Sequence, residues 1–153
     1  MTIEDDIAFF ERVPTLNMLG RPALRILAIG AESRYVHSGG VLFNAGDPAD
    51  SGFIVQEGAF TLTAREAEGG SSVVVGRGTL LGELALLTET VRPVTATAKE
   101  PSTVLRIPRS LFLKMLEGYP DAAVKLRDII AARTDQSARE IYGVRSLLEG
   151  RRH

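Results

Sequence analysis

The chain has 153 residues, 44% hydrophobic and 24% charged, which indicates one globular domain with a continuous core. The formal net charge of −1 gives no electrostatic reason to expect a nucleic acid or an anionic membrane as a partner. The lack of cysteine excludes disulfides, thiolate metal sites and a cysteine nucleophile. The two histidines, His37 and His153, are too far apart in the chain to indicate a metal or acid–base site.

The first 33 residues are predicted to be helical. Thr2 or Asp5 is a candidate N-cap for a first helix, which Pro14 would end, and Pro22 fits the first turn of a second helix. The N-terminus is acidic where a secretory signal would be basic, and no segment approaches the roughly 18 apolar residues of a membrane span. We therefore expect a cytoplasmic protein, or the cytoplasmic part of a larger one, without a membrane segment.

Residues 34–108 have a different texture, in which glycines separate short runs rich in β-formers. Short strands at this spacing predict a sandwich or barrel, although they do not reveal the pairing order. The segment 68–71 is the most evident hairpin tip. The predicted strands are residues 41–43, 53–55, 60–63, 73–75, 94–98 and 103–107.

Helical character returns at residues 110–149. A short amphipathic helix begins at Ser110 and stops at 118–120, and Asp121 is predicted to cap a long final helix that ends near Glu149. No repeat, low-complexity tract or linker interrupts the chain, so residues 1–153 are interpreted as one domain.

The junction at Gly82 is the segment that carries the most chemistry. A strand-like run ends in glycines there and a helix-forming run begins, and such a junction presents free backbone N–H groups that suit phosphate. Arg92 follows Glu83 by nine positions, directly before an alternating strand, so its guanidinium is expected to reach the same anion.

Glu83 is not expected in a site for phosphate alone, because its carboxylate repels an anion. It fits a ligand that also offers hydroxyl groups, and a ribose bonded to a phosphate describes a nucleotide. The alternative is that Glu83 is a first-turn acid on a surface helix and Arg92 a solvated charge.

Three motifs in order resemble one known family. The letters GVLFNAGDPAD at 40–50, FIVQEG at 53–58, and GELALL at 82–87 followed by Arg92 and VTATA at 94–98 are similar to the cyclic-nucleotide-binding domains of the bacterial catabolite activator, protein kinase A regulatory subunits and nucleotide-gated channels. The resemblance covers about residues 9 to 148.

The resemblance implies a mainly β fold, an eight-stranded β-roll of the jelly-roll type with flanking helices, whose phosphate-binding cassette is residues 82–98. Glu83 would accept a hydrogen bond from the ribose 2′-hydroxyl, the amides of Leu84 and Ala85 would meet the phosphate, and Arg92 would neutralise it. The implied ligand-binding residues are Gly82, Glu83, Leu84, Ala85, Arg92, Pro93 and Thr95.

Two residues depart from the family pattern. Leu81 replaces the usual phenylalanine, a mild change between apolar residues, whereas Pro93 stands where the family has a backbone N–H that bonds the phosphate. Losing one charge-assisted bond weakens binding by about ten- to a hundred-fold. Because Pro93 also lacks the hydroxyl that often favours cyclic GMP, we expect cyclic AMP to be favoured, with cyclic GMP as the alternative ligand and with no other cofactor and no metal.

The final helix would act as a lid over the base or as a dimer seam. Its apolar stripe is interrupted by Arg133 and Ser137, which the resemblance implies as base contacts and which otherwise are solvated or dimer-facing polar positions. The stripe continues beyond what a β-roll can cover, which predicts a homodimer through Leu126, Ile130, Ile141, Val144 and Leu148.

The predicted function is that of a stand-alone cyclic-nucleotide sensor, not an enzyme, which signals through its final helix to an unknown protein effector or to a dimer mate. No helix-turn-helix follows the long helix in this sequence, so direct DNA binding is not expected. Two alternatives stay open: a degenerate, ligand-free domain that serves as a dimerisation or scaffold module, and a fragment of a larger regulator.

Overall fold

The structure is a computed structural model that describes residues 2–65 and 69–129. The chain begins with α1 (Ile3–Phe10), a 3₁₀ helix (Leu16–Met18) and α2 (Arg21–Gly30). Of the two candidate caps, Thr2 is the N-cap of α1: its side chain accepts from the Asp5 N–H, and the Asp5 carboxylate accepts from the Thr2 N–H. Pro22 lies in the first turn of α2, as predicted.

Ten strands follow among the described residues, so the mainly β prediction is confirmed. The resemblance implied eight strands, and three of the ten observed, β3, β7 and β8, have only two residues each. The strands are β1 (Glu32–Val36), β2 (Val41–Phe43), β3 (Pro48–Ala49), β4 (Ser51–Glu57), β5 (Ala59–Ala64), β6 (Ser72–Gly76), β7 (Leu80–Leu81), β8 (Thr90–Val91), β9 (Val94–Ala98) and β10 (Ser102–Pro108).

The predicted boundary at residue 33 is wrong by two positions. The backbone leaves the helical region at Ala31, which is extended (ψ 145°), and β1 already begins at Glu32. The predicted hairpin joins β5 to β6, with Thr63 opposite Ser72. Its residues 66–68 lie outside the described part of the chain.

Two four-stranded antiparallel sheets form the roll, in the orders β1-β10-β4-β7 and β2-β9-β5-β6, and β3 pairs with β8. Alternate residues of β4 and β10 point to opposite faces. On one face, Phe53, Val55 and Val104 join the inner cluster between the sheets. On the other, Ile54, Leu105 and Ile107 pack against the helices in the helical cluster.

The helices after the roll begin slightly earlier than predicted. α3 spans Arg109–Gly118, and residues 120–129 are helical. The predicted cap Asp121 is wrong: Pro120 already belongs to the helix because its fixed φ suits the first position, which places Asp121 inside the first turn.

Buried residues of this last helix, Ala122 and Leu126, belong to the helical cluster. Its predicted continuation, with Arg133, Ser137 and the stripe beyond Leu126, lies outside the described residues. Within residues 2–65 and 69–129, no helix is both long and apolar enough to cross a membrane.

Candidate functional site

Gly82 and Arg92 lie beside one cavity of about 400 Å³. The chain reaches it from β7, turns at Gly82, forms a 3₁₀ helix (Leu84–Leu86) and returns through β8 to Arg92. Six of the seven predicted ligand-binding residues line this cavity: Gly82, Glu83, Leu84, Ala85, Arg92 and Pro93.

Arg92 is buried, with 4% of its surface exposed. The carbon at the centre of its guanidinium lies 4.5 Å from the ring centroid of Phe43 and 5.3 Å from that of Phe53, both cation–π distances. Nη2 donates to the Ser51 hydroxyl at 3.4 Å, and Nη1 has no hydrogen-bond partner among the described residues. A buried cationic donor without an acceptor is costly, so an acceptor in the cavity would be stabilised at this nitrogen.

The charge of Arg92 has little compensation inside the protein. Burial is the main cause that lowers the pKa of its guanidinium, with opposing attraction from Asp50 and Asp47. Arginine nonetheless stays protonated in proteins. The cavity wall therefore carries a positive charge that a phosphate would stabilise.

A turn between β2 and β3 fixes the backbone of Arg92. The Arg92 N–H donates to the Asp47 carbonyl at 2.8 Å, and the Gly46 N–H donates to the Arg92 carbonyl at 2.7 Å. The Thr95 hydroxyl accepts from the Ala45 N–H of the same turn at 2.9 Å. Thr95 is not among the lining residues, so its ligand contact stays a prediction, while its observed partner orients the turn that positions Arg92.

Gly82 permits the close approach of the guanidinium. Its φ of +82° lies in the region that favours glycine. A β-carbon there would overlap Nη1 of Arg92 and would lie 3.1 Å from the Ser51 carbonyl oxygen. Any other residue at this position would therefore strain the backbone and force the Arg92 guanidinium to shift.

The helix expected after Gly82 is only one 3₁₀ turn. The Ala85 N–H donates to the Gly82 carbonyl at 3.1 Å, and the Leu86 N–H donates to the Glu83 carbonyl at 3.2 Å. The Ala85 amide would therefore have to share its hydrogen with a phosphate. A 3₁₀ helix of three residues contributes only a small dipole at this junction.

Glu83 lines the cavity, and its Oε2 accepts a hydrogen bond from the Thr15 hydroxyl at 2.6 Å. Thr15 belongs to the N-terminal helical segment and has an unusual backbone conformation, with φ of 78° and ψ of −49°. Sequence reasoning missed this pair, because nothing local in the sequence links two positions 68 residues apart.

The two phenylalanines behind Arg92 were also missed. They lie in the predicted strands 41–43 and 53–55, and both join the inner cluster. The contact with a buried cation arises only when β2 and β4 meet across the roll. Leu81 is buried in the same cluster, as expected for an apolar replacement.

Comparison with known proteins identifies the family of this chain. A family model described as a cyclic nucleotide-binding domain matches residues 33–119, more than half of the chain. A lysophospholipase of Neurospora crassa is 36% identical over 100 residues, which are 64% of this chain and 7% of that protein. This chain therefore corresponds to a small part of that relative.

Two solved structures share the fold. A cyclic nucleotide-binding-like protein of Brucella abortus is 38% identical, with a TM-score of 0.66 over 74% of this chain and 98% of its own. The N-terminal domain of a transcriptional regulator of Streptomyces coelicolor is 26% identical, with a TM-score of 0.74 over 87% of this chain and 94% of its own. With the β-roll and the Gly82–Arg92 cavity, these matches show that the chain belongs to the family of cyclic nucleotide-binding regulatory domains.

Proposed function

We propose that the cavity binds the cyclic phosphate and ribose of a cyclic nucleotide. The observation that carries this proposal is Nη1 of Arg92, a buried cationic donor without an acceptor among the described residues. A phosphate supplies both the charge and the acceptor. The volume of about 400 Å³ falls in the range of small-molecule sites, which is about 300–1,000 Å³.

Each lining residue has a distinct role in this proposal. Arg92 neutralises the phosphate, the amides of Leu84 and Ala85 donate to it, and Glu83 accepts from the ribose 2′-hydroxyl. Pro93 offers neither an N–H nor a hydroxyl at the edge of the cavity, which favours cyclic AMP over cyclic GMP.

Calorimetric titration with cyclic AMP and cyclic GMP tests the site. Arg92→Ala removes up to two charge-assisted hydrogen bonds and is expected to weaken binding at least about 100-fold. Arg77→Ala is a matched control, because its guanidinium also lies over a phenylalanine ring, 4.9 Å from the centroid of Phe9, but outside the cavity. Micromolar binding that survives Arg92→Ala would contradict the proposed site.

The C-terminal helices are proposed to carry the signal. Arg109, the first residue of α3, donates from Nε to the Ala85 carbonyl at 2.8 Å and from Nη2 to the Ala49 carbonyl. A shift of the cassette on ligand binding would therefore act directly on the start of α3.

The final helix is also proposed to form a homodimer. Sedimentation velocity with and without cyclic AMP tests it: a monomer at high micromolar concentration in both states would contradict the homodimer.

A ligand-free scaffold or dimerisation module is the second candidate. Pro93 lacks one donor, and the Ala85 N–H is already used within the 3₁₀ turn. The absence of any thermal shift at millimolar cyclic AMP and cyclic GMP would support this candidate and overturn the sensor.

The proposed role of this domain is regulatory binding without catalysis and without direct contact to DNA. The relative from Neurospora crassa is named as a lysophospholipase, but the match covers only 7% of that protein, so we do not assign its activity to this chain. A cytoplasmic location and an unidentified protein effector complete the proposal.

A further inference from the structure

We infer that Thr15 is a positioning residue, which holds the Glu83 carboxylate ready for a ribose hydroxyl and so sets how strongly the site distinguishes ribose from 2′-deoxyribose. This inference rests on the proposed function. It is carried by the geometry of one contact between the N-terminal helices and the cassette.

The contact is short and joins a neutral donor to a carboxylate. The Thr15 hydroxyl lies 2.6 Å from Oε2 of Glu83, the length of a charge-assisted O–H···O⁻ bond. Thr15 is buried, with 2% of its surface exposed, whereas Glu83 is half-buried at the cavity. The hydroxyl therefore comes from the interior, behind the wall that would face the ligand.

The backbone at Thr15 is strained. Among the described residues, Thr15 is the single non-glycine residue with positive φ. A β-branched residue is rare at positive φ, which glycine adopts far more readily. Threonine differs from glycine here by supplying a hydroxyl to Glu83, and strain of this kind is commonly found where a functional group must be held in place.

The element that carries Thr15 is rigidly packed. Val13 and Leu16, on either side of it, are fully buried in the helical cluster, which also contains Leu86 of the cassette. The donor is therefore fixed with respect to the 3₁₀ turn that follows Glu83. A carboxylate held in one orientation loses less side-chain entropy when the ligand arrives, so the same hydrogen bond contributes more to affinity.

Thr15 need not leave for the ligand to bind. An ionised carboxylate has two oxygens and about four acceptor directions, so it can accept from both a threonine and a ribose hydroxyl. Thr15 consequently orients Glu83 rather than blocking it.

The test compares the dissociation constants of cyclic AMP and 2′-deoxy cyclic AMP, measured by calorimetry on the full chain. The wild type is expected to prefer the ribose form by about 10- to 100-fold, the value of a hydrogen bond to a charged acceptor. Thr15→Ser keeps the hydroxyl and is expected to keep this ratio. Thr15→Gly removes the hydroxyl and relieves the backbone, and its ratio is expected to fall at least about threefold, to about 3- to 30-fold.

Thr15→Ala provides a second hydroxyl-free variant should Thr15→Gly not fold, which circular dichroism would reveal. In a Glu83→Ala background, Thr15→Gly is expected to leave the ratio unchanged, because the partner is gone. Equal weakening of both nucleotides would mark a purely structural role for Thr15 and overturn the inference.

The remaining outcomes separate the two proposals. If Thr15→Gly and Thr15→Ala discriminate as strongly as the wild type, the inference is wrong and the proposed function stands. If the wild type binds both nucleotides equally well, Glu83 does not read the 2′-hydroxyl and the inference is also wrong. If the wild type binds neither, the proposed function fails and the inference fails with it.

Discussion

Replacing Gly82 by alanine tests whether close approach of the cassette backbone holds Arg92 in place. The change has two consequences that can be separated. Alanine at φ +82° carries a backbone penalty of about 1–2 kcal/mol. Its β-carbon would also overlap Nη1 of Arg92. Gly39→Ala is the matched control, because Gly39 also has φ +82° but would place its β-carbon in open space.

The expected effects follow from these two terms. Both variants should lose about 1–2 kcal/mol in the free energy of unfolding, measured by urea denaturation. Only Gly82→Ala should displace the guanidinium from Phe43 and Phe53, at a further cost of about 0.5–2 kcal/mol. The misplaced cation should weaken cyclic AMP binding at least about tenfold in calorimetry, the value of one charge-assisted bond.

Comparing the two variants separates the backbone penalty from the displacement of Arg92. Cyclic AMP binding by Gly39→Ala should match that of the wild type. If the dissociation constant of Gly82→Ala for cyclic AMP were within about twofold of that of Gly39→Ala, the close approach of Gly82 to Arg92 would not affect nucleotide binding.

Three further changes have expected outcomes. Pro93→Ala restores a backbone N–H and should tighten cyclic AMP binding about tenfold or more in calorimetry, while lowering stability by about 0.4–1 kcal/mol; Pro101→Ala, at an exposed turn away from the cavity, should share only the loss of stability. Phe43→Leu removes a ring under Arg92 and should weaken nucleotide binding several-fold, with a loss of less than about 1.5 kcal/mol in urea denaturation. Asp50→Asn should cost at most about 1 kcal/mol at pH 7, because that side chain is 74% exposed. A hydrogen bond from the adjacent serine is the main cause that lowers the pKa of Asp50 from 3.8. The difference in the free energy of unfolding between wild type and Asp50→Asn, measured by urea denaturation, should therefore persist above pH 3.8 and vanish as the pH falls below it. A difference that survived in strong acid would contradict this origin.

Local patterns in the sequence predicted most of the elements. The runs at 41–43, 53–55 and 94–98 all lie within observed strands, and the predicted turn at Gly82 lies beside a cavity that six of the seven predicted ligand-binding residues line. These features depend on interactions between near neighbours: alternation along a strand, a proline in a first helical turn, a glycine with positive φ. The errors at residue 33 and at Asp121 are boundary errors of one or two positions, where the backbone angles of a single residue decide the outcome.

The contacts that support the cavity residues depend on the tertiary structure. The sequence alone predicted that a glycine turn, a carboxylate and an arginine would come together, and Gly82, Glu83 and Arg92 do line one cavity. It did not show that Arg92 lies over two phenylalanine rings from different sheets, or that Thr15 holds Glu83 from the N-terminal helices. Such contacts join residues far apart in the chain, and they exist only once the roll and the helices have packed, because packing and not sequence spacing brings the partners within bonding distance.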